Sequence, residues 1–344
     1  MRIVYVCHLD PATSDYPLFL AQGWEALGHQ VTLVPYDLLC TNDVVVSARQ
    51  RMLCWDAPCR LRYFERRLTR ICRDARAQIL LLGNLFVSCA GMRRLRATCG
   101  CAVGFILGYN HLLQDHTAGM IRDADFVLLH DSYLDPVIRG TQYGRNPNVF
   151  HFMGAADPNE HRPLELTEAD RQRYGGDVAF IGGYTGYRES VLASLAGFDL
   201  RLWGPDWEKR PGLARFARRE PVYGLKKTKI YCAARIVVNL QEPEKQINSF
   251  NSRVPEILAC GGFPLTSYQK DTELTPLVEG QSVVSFTTPE ELRDKVAHYL
   301  DHPTERAAVI REGRRIVLEH LTWEKAAAKL ARDLETVLGP GRRS

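Results

Sequence analysis

Short runs of β-branched and aliphatic residues alternate with helix-length segments along nearly the whole chain, and this alternation restricts the fold more than any other feature. Strands joined by helical crossovers pair in parallel, and a parallel sheet needs helices on its faces to bury its apolar strands. Residues 3–7, 31–34, 78–82, 102–107, 125–129 and 149–152 read as the strands of one such sheet. A second series reads at 177–181, 200–203, 236–240, 263–266 and 283–286. Between the two, residues 154–163 spell GAADPNEHRP, a polar, Pro-containing stretch with no hydrophobic period, where a linker is expected. The expectation is therefore α/β, with two Rossmann-like, doubly wound domains.

Length agrees: 344 residues at roughly 150 per domain make about two domains. Hydrophobic residues at 45% and charged residues at 24% exclude a disordered chain and a disulfide-stapled miniature. Forty-four Lys and Arg against forty Asp and Glu leave +4, too little to argue for a polyanionic partner, and no nucleic acid is expected. Seven arginines crowd residues 60–76, but they alternate with Leu61, Tyr63, Phe64, Leu68 and Ile71 at helical spacing. That pattern favours a solvated helix face over a phosphate-binding patch.

Ten cysteines occur, the closest pairs being Cys54/Cys59 and Cys99/Cys101, with no C-x-x-C, so no metal site is expected. Cys7, Cys89, Cys232 and Cys260 lie in or beside apolar runs, where a thiol serves as a small hydrophobe, and a reducing cytoplasm fits. The first apolar run meets His8 and Asp10 too soon for a signal peptide. The longest apolar stretch, residues 79–91, is interrupted by Asn84 and falls short of the ~20 residues that cross a bilayer, so no spanning segment is expected. Near the C-terminus, Thr288-Pro289-Glu290-Glu291 reads as a capping box ahead of Leu292, Val296 and Leu300. Thr322 precedes a helix with Trp323, Ala327, Leu330, Leu334 and Val337 on one stripe.

Doubly wound sheets bind ligands outside the carboxyl ends of their strands, which selects the candidate residues. In Phe180-Ile181-Gly182-Gly183-Tyr184-Thr185-Gly186 a strand runs into glycines, and Arg188 follows early in a helix. The glycines admit a phosphate to the backbone and Arg188 adds a fork for it; a tight turn needing positive φ is the other reading. Further on, Asn248 and Ser249 precede a short helix bearing Arg253 and Glu256, three apart and hence on one face. A carboxylate there can accept both hydroxyls of a ribose while Arg253 meets phosphate; the other reading is a surface ion pair on a helix packed through Ile257 and Leu258. In the first half, His111 and Asp115 follow the fourth strand, and His8 and Asp10 follow the first. Each can orient an acceptor hydroxyl or cap a helix. His130-Asp131 reads as a helix cap, and Asp123-Ala124-Asp125 leads into a strand, away from the ligand end, so it is discounted as a metal site.

At this point the chain resembles a known family. Residues 251–266, Glu279-Gly280, residues 288–300, Asp301-His302-Pro303 and His320-Leu321-Thr322-Trp323 look like the C-terminal domain of the spore-maturation CgeB-like glycosyltransferases, a bacterial family of GT-B fold. Residues 177–183, Arg188-Glu189, Leu202-Trp203-Gly204 and 234–240 fit the same domain, and GAADP resembles the linker of retaining GT-B transferases. The resemblance covers roughly residues 154–334. It implies two domains facing across a cleft: residues 1–155 for the acceptor, 156–322 for the nucleotide sugar, and a final helix, 323–344, returning to the first. It also implies that Glu256 holds the donor ribose, that the loop after Ile181 faces the diphosphate and that Tyr223-Gly224 lies by the nucleobase. Asn248 stands where many relatives keep a second glutamate.

The function expected is transfer of a sugar from a nucleoside diphosphate sugar, of UDP type, to an acceptor hydroxyl, with retention, without a metal or other cofactor. Catalysis would consist of positioning and of stabilising the departing diphosphate. An epimerase or hydrolase of sugar nucleotides, and a non-catalytic nucleotide-binding partner, are the alternatives. A nicotinamide oxidoreductase is disfavoured, because Cys7-His8-Leu9-Asp10-Pro11 has no glycine where that fingerprint belongs.

Overall fold

The computed structural model describes residues 1–7, 9, 16–35, 58–83, 87, 89–107, 115–140, 146–243 and 247–338. Two compact units result, Met1–Phe152 together with Trp323–Ser344, and Met153–Thr322.

The first unit runs β1 (Arg2–Cys7), α1 (Tyr16–Ala26), β2 (Gln30–Pro35), α2 (Pro58–Asp74), β3 (Ile79–Leu82), α3 (Cys89–Cys99), β4 (Ala102–Leu107), α4 (Asp115–Asp123), β5 (Phe126–Leu129), α5 (Leu134–Gly140) and β6 (Val149–His151). Its six strands order as β2-β1-β3-β4-β5-β6, every pair parallel. β3, β4 and β5 are buried at every residue, which is why they read as unbroken apolar runs instead of alternating ones. The arginine-rich segment is α2: Phe64, Leu68 and Cys72 face the core while Arg66, Arg67, Arg70 and Arg73 lie in solvent. The last helix of the chain belongs to this unit and lies on α1, where the Trp24 indole N–H donates to the Ala327 carbonyl at 3.0 Å. Asp125 and Asp123 do structural work at the amino end of β5: Asp125 accepts from the Val103 N–H at 2.9 Å and from Arg96 at 3.3 Å, and Asp123 from Arg93 at 2.7 Å. Asp131 accepts from the Tyr133 N–H at 3.0 Å just ahead of α5.

The second unit runs α6 (Glu168–Tyr174), β7 (Gly176–Ile181), α7 (Gly186–Leu192), β8 (Leu200–Trp203), β9 (Ala217–Arg218), α8 (Leu225–Ala233), β10 (Ala234–Asn239), α9 (Arg253–Ala259), β11 (Pro264–Ser267), β12 (Val284–Phe286), α10 (Pro289–Asp301) and α11 (Pro303–His320); α12 (Trp323–Val337) then returns to the first unit. The strand order is β12-β11-β10-β7-β8-β9, again all parallel. The chain therefore winds outward from β7 in one direction and from β10 in the other.

Three sequence expectations change here. The sheet has a sixth strand, β9, whose two residues are too few to show a hydrophobic period. The supposed linker is folded into the second unit: Ala155, Ala156 and His161 are buried, and Ala156 bridges Thr322. Thr288 does cap α10, accepting from the Glu291 N–H at 3.2 Å, but the box does not close on the cap residue. The Glu291 carboxylate instead accepts from the N–H and hydroxyl of Thr287, both at 2.7 Å, one residue earlier.

Candidate functional site

In the second sheet the winding direction reverses between β7 and β10, and the crevice outside their carboxyl ends is where such sheets take ligands. The loop after β7 is tightly held. The Gly182 N–H donates to the Trp203 carbonyl at 2.8 Å, the Gly182 carbonyl accepts from the Trp207 indole at 2.8 Å, and the Tyr184 N–H donates to the Pro205 carbonyl at 3.1 Å. Neither Gly182 nor Gly183 has positive φ, which removes the tight-turn reading. The glycine the local geometry demands is Gly204, at φ +136°, where a Cβ would sit 2.4 Å from the Gly182 carbonyl oxygen. Thr185 then caps α7, accepting from the Arg188 N–H at 3.3 Å. Tyr184 is fixed by its hydroxyl, which donates to Glu189 at 2.8 Å, and by the Arg210 guanidinium 3.7 Å from its ring centroid.

Arg188 turns back over this loop. Its guanidinium donates to the Gly183 carbonyl at 2.7 Å, pairs with Glu242 at 3.1 Å and lies over the Phe180 ring. Its side chain is 16% exposed. Burial and the positive charge of Arg253 both pull its pKa down, and Glu242 opposes them. Arg253, the first residue of α9, donates to the Ile181 carbonyl at 3.4 Å, so two guanidiniums converge on the end of β7. Two guanidiniums gathered in a partly desolvated crevice, one of them paired with Glu242, have the chemistry to take an anion.

A carboxamide network shapes the other wall. The Asn251 amide donates to Gln241 at 2.7 Å and to Asn239 at 3.3 Å, and its oxygen accepts from the Arg253 N–H at 3.1 Å. Asn239 donates to the Thr266 hydroxyl at 3.0 Å, and Gln269 donates to Gln241. These residues set the backbone that carries Arg253.

Glu256, one turn along α9, is buried and does not pair with Arg253 on the surface. Its Oε2 takes Lys227 of α8 at 3.2 Å and the Tyr231 hydroxyl at 3.4 Å, while His161 Nε2 stands 3.9 Å from Oε1. The Asp157 N–H donates to His161 Nδ1 at 3.1 Å, so the imidazole presents Nε2–H to the carboxylate. Burial alone would raise the Glu256 carboxyl, but Lys227, His161 and Arg253 outweigh it and hold the group ionised, below the usual carboxylate range. An ionised carboxylate held in this way is an acceptor for hydroxyl donors.

Of the residues singled out by sequence, Gly182, Gly183, Tyr184, Arg188, Arg253 and Glu256 lie on the β7 loop, α7 and α9. Ser249 is buried on the loop before α9, Asn248 accepts there from the Asp271 N–H at 2.9 Å, and Tyr223 is exposed ahead of α8. His8, Asp10 and His111 lie outside the described residues, as does the side chain of Asp115, which opens α4. Sequence reading missed Lys227, His161, Glu242 and the carboxamides Asn239, Gln241 and Gln269. His161 lay in the stretch 154–163, Asn239 in a run read as a strand and Lys227 four residues after Tyr223, but nothing in those patterns marked them as site residues.

Residues 188–332 match the family model described as glycosyl transferase-like. Among curated proteins none matches the chain by sequence. Solved structures share its fold over nearly the whole length. Sucrose-phosphate synthase from Thermosynechococcus elongatus is 13% identical, covers 97% of this chain and 98% of its own, and superposes with a TM-score of 0.67. HepE from Anabaena, solved in complex with UDP and glucose, is 12% identical over 98% of this chain and 100% of its own, with a TM-score of 0.67. A glycosyltransferase from Rickettsia africae is 10% identical, with 98% coverage of both chains and a TM-score of 0.69. The fold is that of the GT-B glycosyltransferases, and the matched segment contains Arg188, Tyr223, Asn248, Ser249, Arg253 and Glu256. Among the described residues no helix is long and apolar enough to cross a membrane.

Proposed function

We propose that this protein is a CgeB-like, retaining glycosyltransferase that moves a hexose from a UDP-type sugar nucleotide to an acceptor hydroxyl, in the bacterial cytoplasm. The observation that carries the reading is the convergence of Arg188 and Arg253 on the carboxyl end of β7, with Glu256 one turn beyond Arg253. The two guanidiniums take the donor diphosphate, and their charge stabilises it as the glycosidic bond breaks, which is the main catalytic demand of such a transfer and here requires no metal. Glu256, kept ionised by Lys227 and His161, accepts from the ribose hydroxyls, and Tyr223 flanks the base. Asn248 and Ser249 contact the donor, and the loop Gly182–Tyr184 lets its phosphates approach the backbone. On the acceptor side the assignments are His111 and Asp115, after the fourth strand, and His8 and Asp10, after the first. Support comes from the family match over residues 188–332 and from the shared fold of HepE, solved in complex with UDP and glucose.

The test is calorimetric titration of the full chain with UDP and with a panel of sugar nucleotides, followed by product analysis with and without acceptor hydroxyls. Binding of a UDP-sugar that is lost in Glu256→Ala supports the reading, and unchanged affinity in that variant overturns the ribose assignment. Quantitative conversion of donor to an epimer without acceptor would replace transfer by epimerisation.

A further inference from the structure

The sequence places Cys99 and Cys101 on either side of one glycine and shows nothing else near them. In the first unit a third cysteine arrives from another element. Cys72, near the end of α2, meets Cys99, the last residue of α3, and Cys101, which leads into β4. The three sulfurs all lie within 4.8 Å of one another. The turn that allows this is Gly100, whose φ of +67° stops α3 and reverses the chain, so that both flanking thiols reach the same point. Cys72 is 1% and Cys101 0% exposed, while Cys99 is only partly buried and closes the cluster on the solvent side. The cluster sits at the amino end of β4, the opposite end of the strand from the one that His111 follows in sequence.

We propose that Cys72, Cys99 and Cys101 form a three-sulfur site for a soft, thiophilic d10 cation, with Cu(I) as the ion that fits it. Three thiolates at about 2.3 Å from one metal stand about 4.0 Å apart in a trigonal plane, so sulfurs already within 4.8 Å need only a small inward shift. The donor set is sulfur alone, which selects thiophilic ions over hard, oxygen-seeking ones. Among the described residues no His, Asp, Glu or further Cys joins the three. Zn(II) favours a fourth protein ligand in a structural site, whereas a monovalent d10 ion accepts three. Each thiol that binds releases its proton to water, and no electron is transferred. Apolar packing explains why Cys72 and Cys101 are buried, but it does not require three thiols from three segments to meet, since Val or Ala would fill the same space.

The experiment is anaerobic titration of the reduced, full-length protein with Cu(I) in competition with a chromophoric Cu(I) chelator, with Zn(II) run in parallel. The expected result is one Cu(I) retained per chain with a sulfur-to-copper charge-transfer band, and a thermal midpoint that rises with bound metal. Cys99→Ser, at the partly exposed position that folding tolerates best, should weaken binding by at least about tenfold, the scale on which even outer-shell changes act. Cys72→Ser should do the same where it folds, and Cys232→Ser with Cys260→Ser should leave binding intact. Metal that is not retained, retention unchanged in Cys99→Ser, or Zn(II) bound as tightly as Cu(I) would each overturn the proposal. So would conversion of two of the three thiols to a disulfide under the titration conditions with no metal held.

Discussion

Lys227 Nζ lies 3.2 Å from Oε2 of Glu256, and this ion pair joins α8 to α9. Both side chains are largely buried, at 18% and 8% exposed, so each charge depends on the other. A buried pair contributes little net stability compared with apolar residues of the same shape, yet removing one member leaves an uncompensated charge.

Lys227→Met should therefore cost about 3 kcal/mol in chemical denaturation, within the range for breaking a buried pair. It should also raise the Glu256 pKa, because burial would then act with less opposition. In the double variant Lys227→Met/Glu256→Gln much of that loss should return. A double-mutant cycle without coupling would show that the two groups act separately.

The paired guanidiniums predict a charge-independent effect. Arg188→Lys and Arg253→Lys keep the charge but lose the planar fork that meets a diphosphate at two points. Calorimetry should show each weakening UDP by about tenfold or more, equivalent to about 1.4 kcal/mol. If lysine supported full affinity, simple charge would account for the site.

Gly204→Ala tests the loop. It combines a φ of +136° with a Cβ 2.4 Å from a backbone oxygen, so the Gly182–Tyr184 segment has to move. The destabilisation should exceed about 1 kcal/mol, and donor affinity should fall with it. Gly183→Ala makes a milder control, its Cβ meeting the Pro205 ring at 3.2 Å.

The N-terminus of α10 predicts a local pH dependence. The Glu291 carboxyl is held down from 4.5 to about 2 by Lys295 and by the two donors of Thr287. A depressed carboxylate stabilises the fold above its unfolded value, and that contribution is lost as pH falls from about 4.5 toward 2. Denaturation of Glu291→Gln alongside the parent should show two curves that differ above pH 4.5 and converge in acid; a constant gap at every pH would contradict the assignment.

On the first unit, α12 lies against α1 so closely that a Cβ at Gly23 would meet the Ala327 Cβ at 2.8 Å and the Trp323 carbonyl oxygen at 2.9 Å. Gly23→Leu should cost about 1 to 3 kcal/mol as an overpacked contact, read as a lowered thermal midpoint. A neutral result would mean that the two helices can separate freely.

Much of the fold was legible because its signal is local. A buried parallel strand such as Ile79–Leu82 announces itself as an apolar run, and α2 by its helical stripe. β9 escaped because two residues carry no period, and residues 154–163 misled because a polar stretch can still bury His161 when a carboxylate waits for it. Among the candidate residues, Arg188, Arg253 and Glu256 could be picked from motif and resemblance, but the partner of Glu256 could not.

From the sequence alone came the two α/β units, the parallel sheets and the placing of glycines, arginines and a carboxylate at strand ends, all of which depend on patterns a few residues long. Tertiary structure alone decided that Lys227 and His161 hold Glu256 ionised, that Gly204 and not Gly182 or Gly183 is the conformationally demanding glycine, and that Cys72 joins Cys99 and Cys101. The physical reason is that these relationships cross helical connections. Which side chains meet there depends on strand order and helix packing, and neither leaves a periodic trace in the chain.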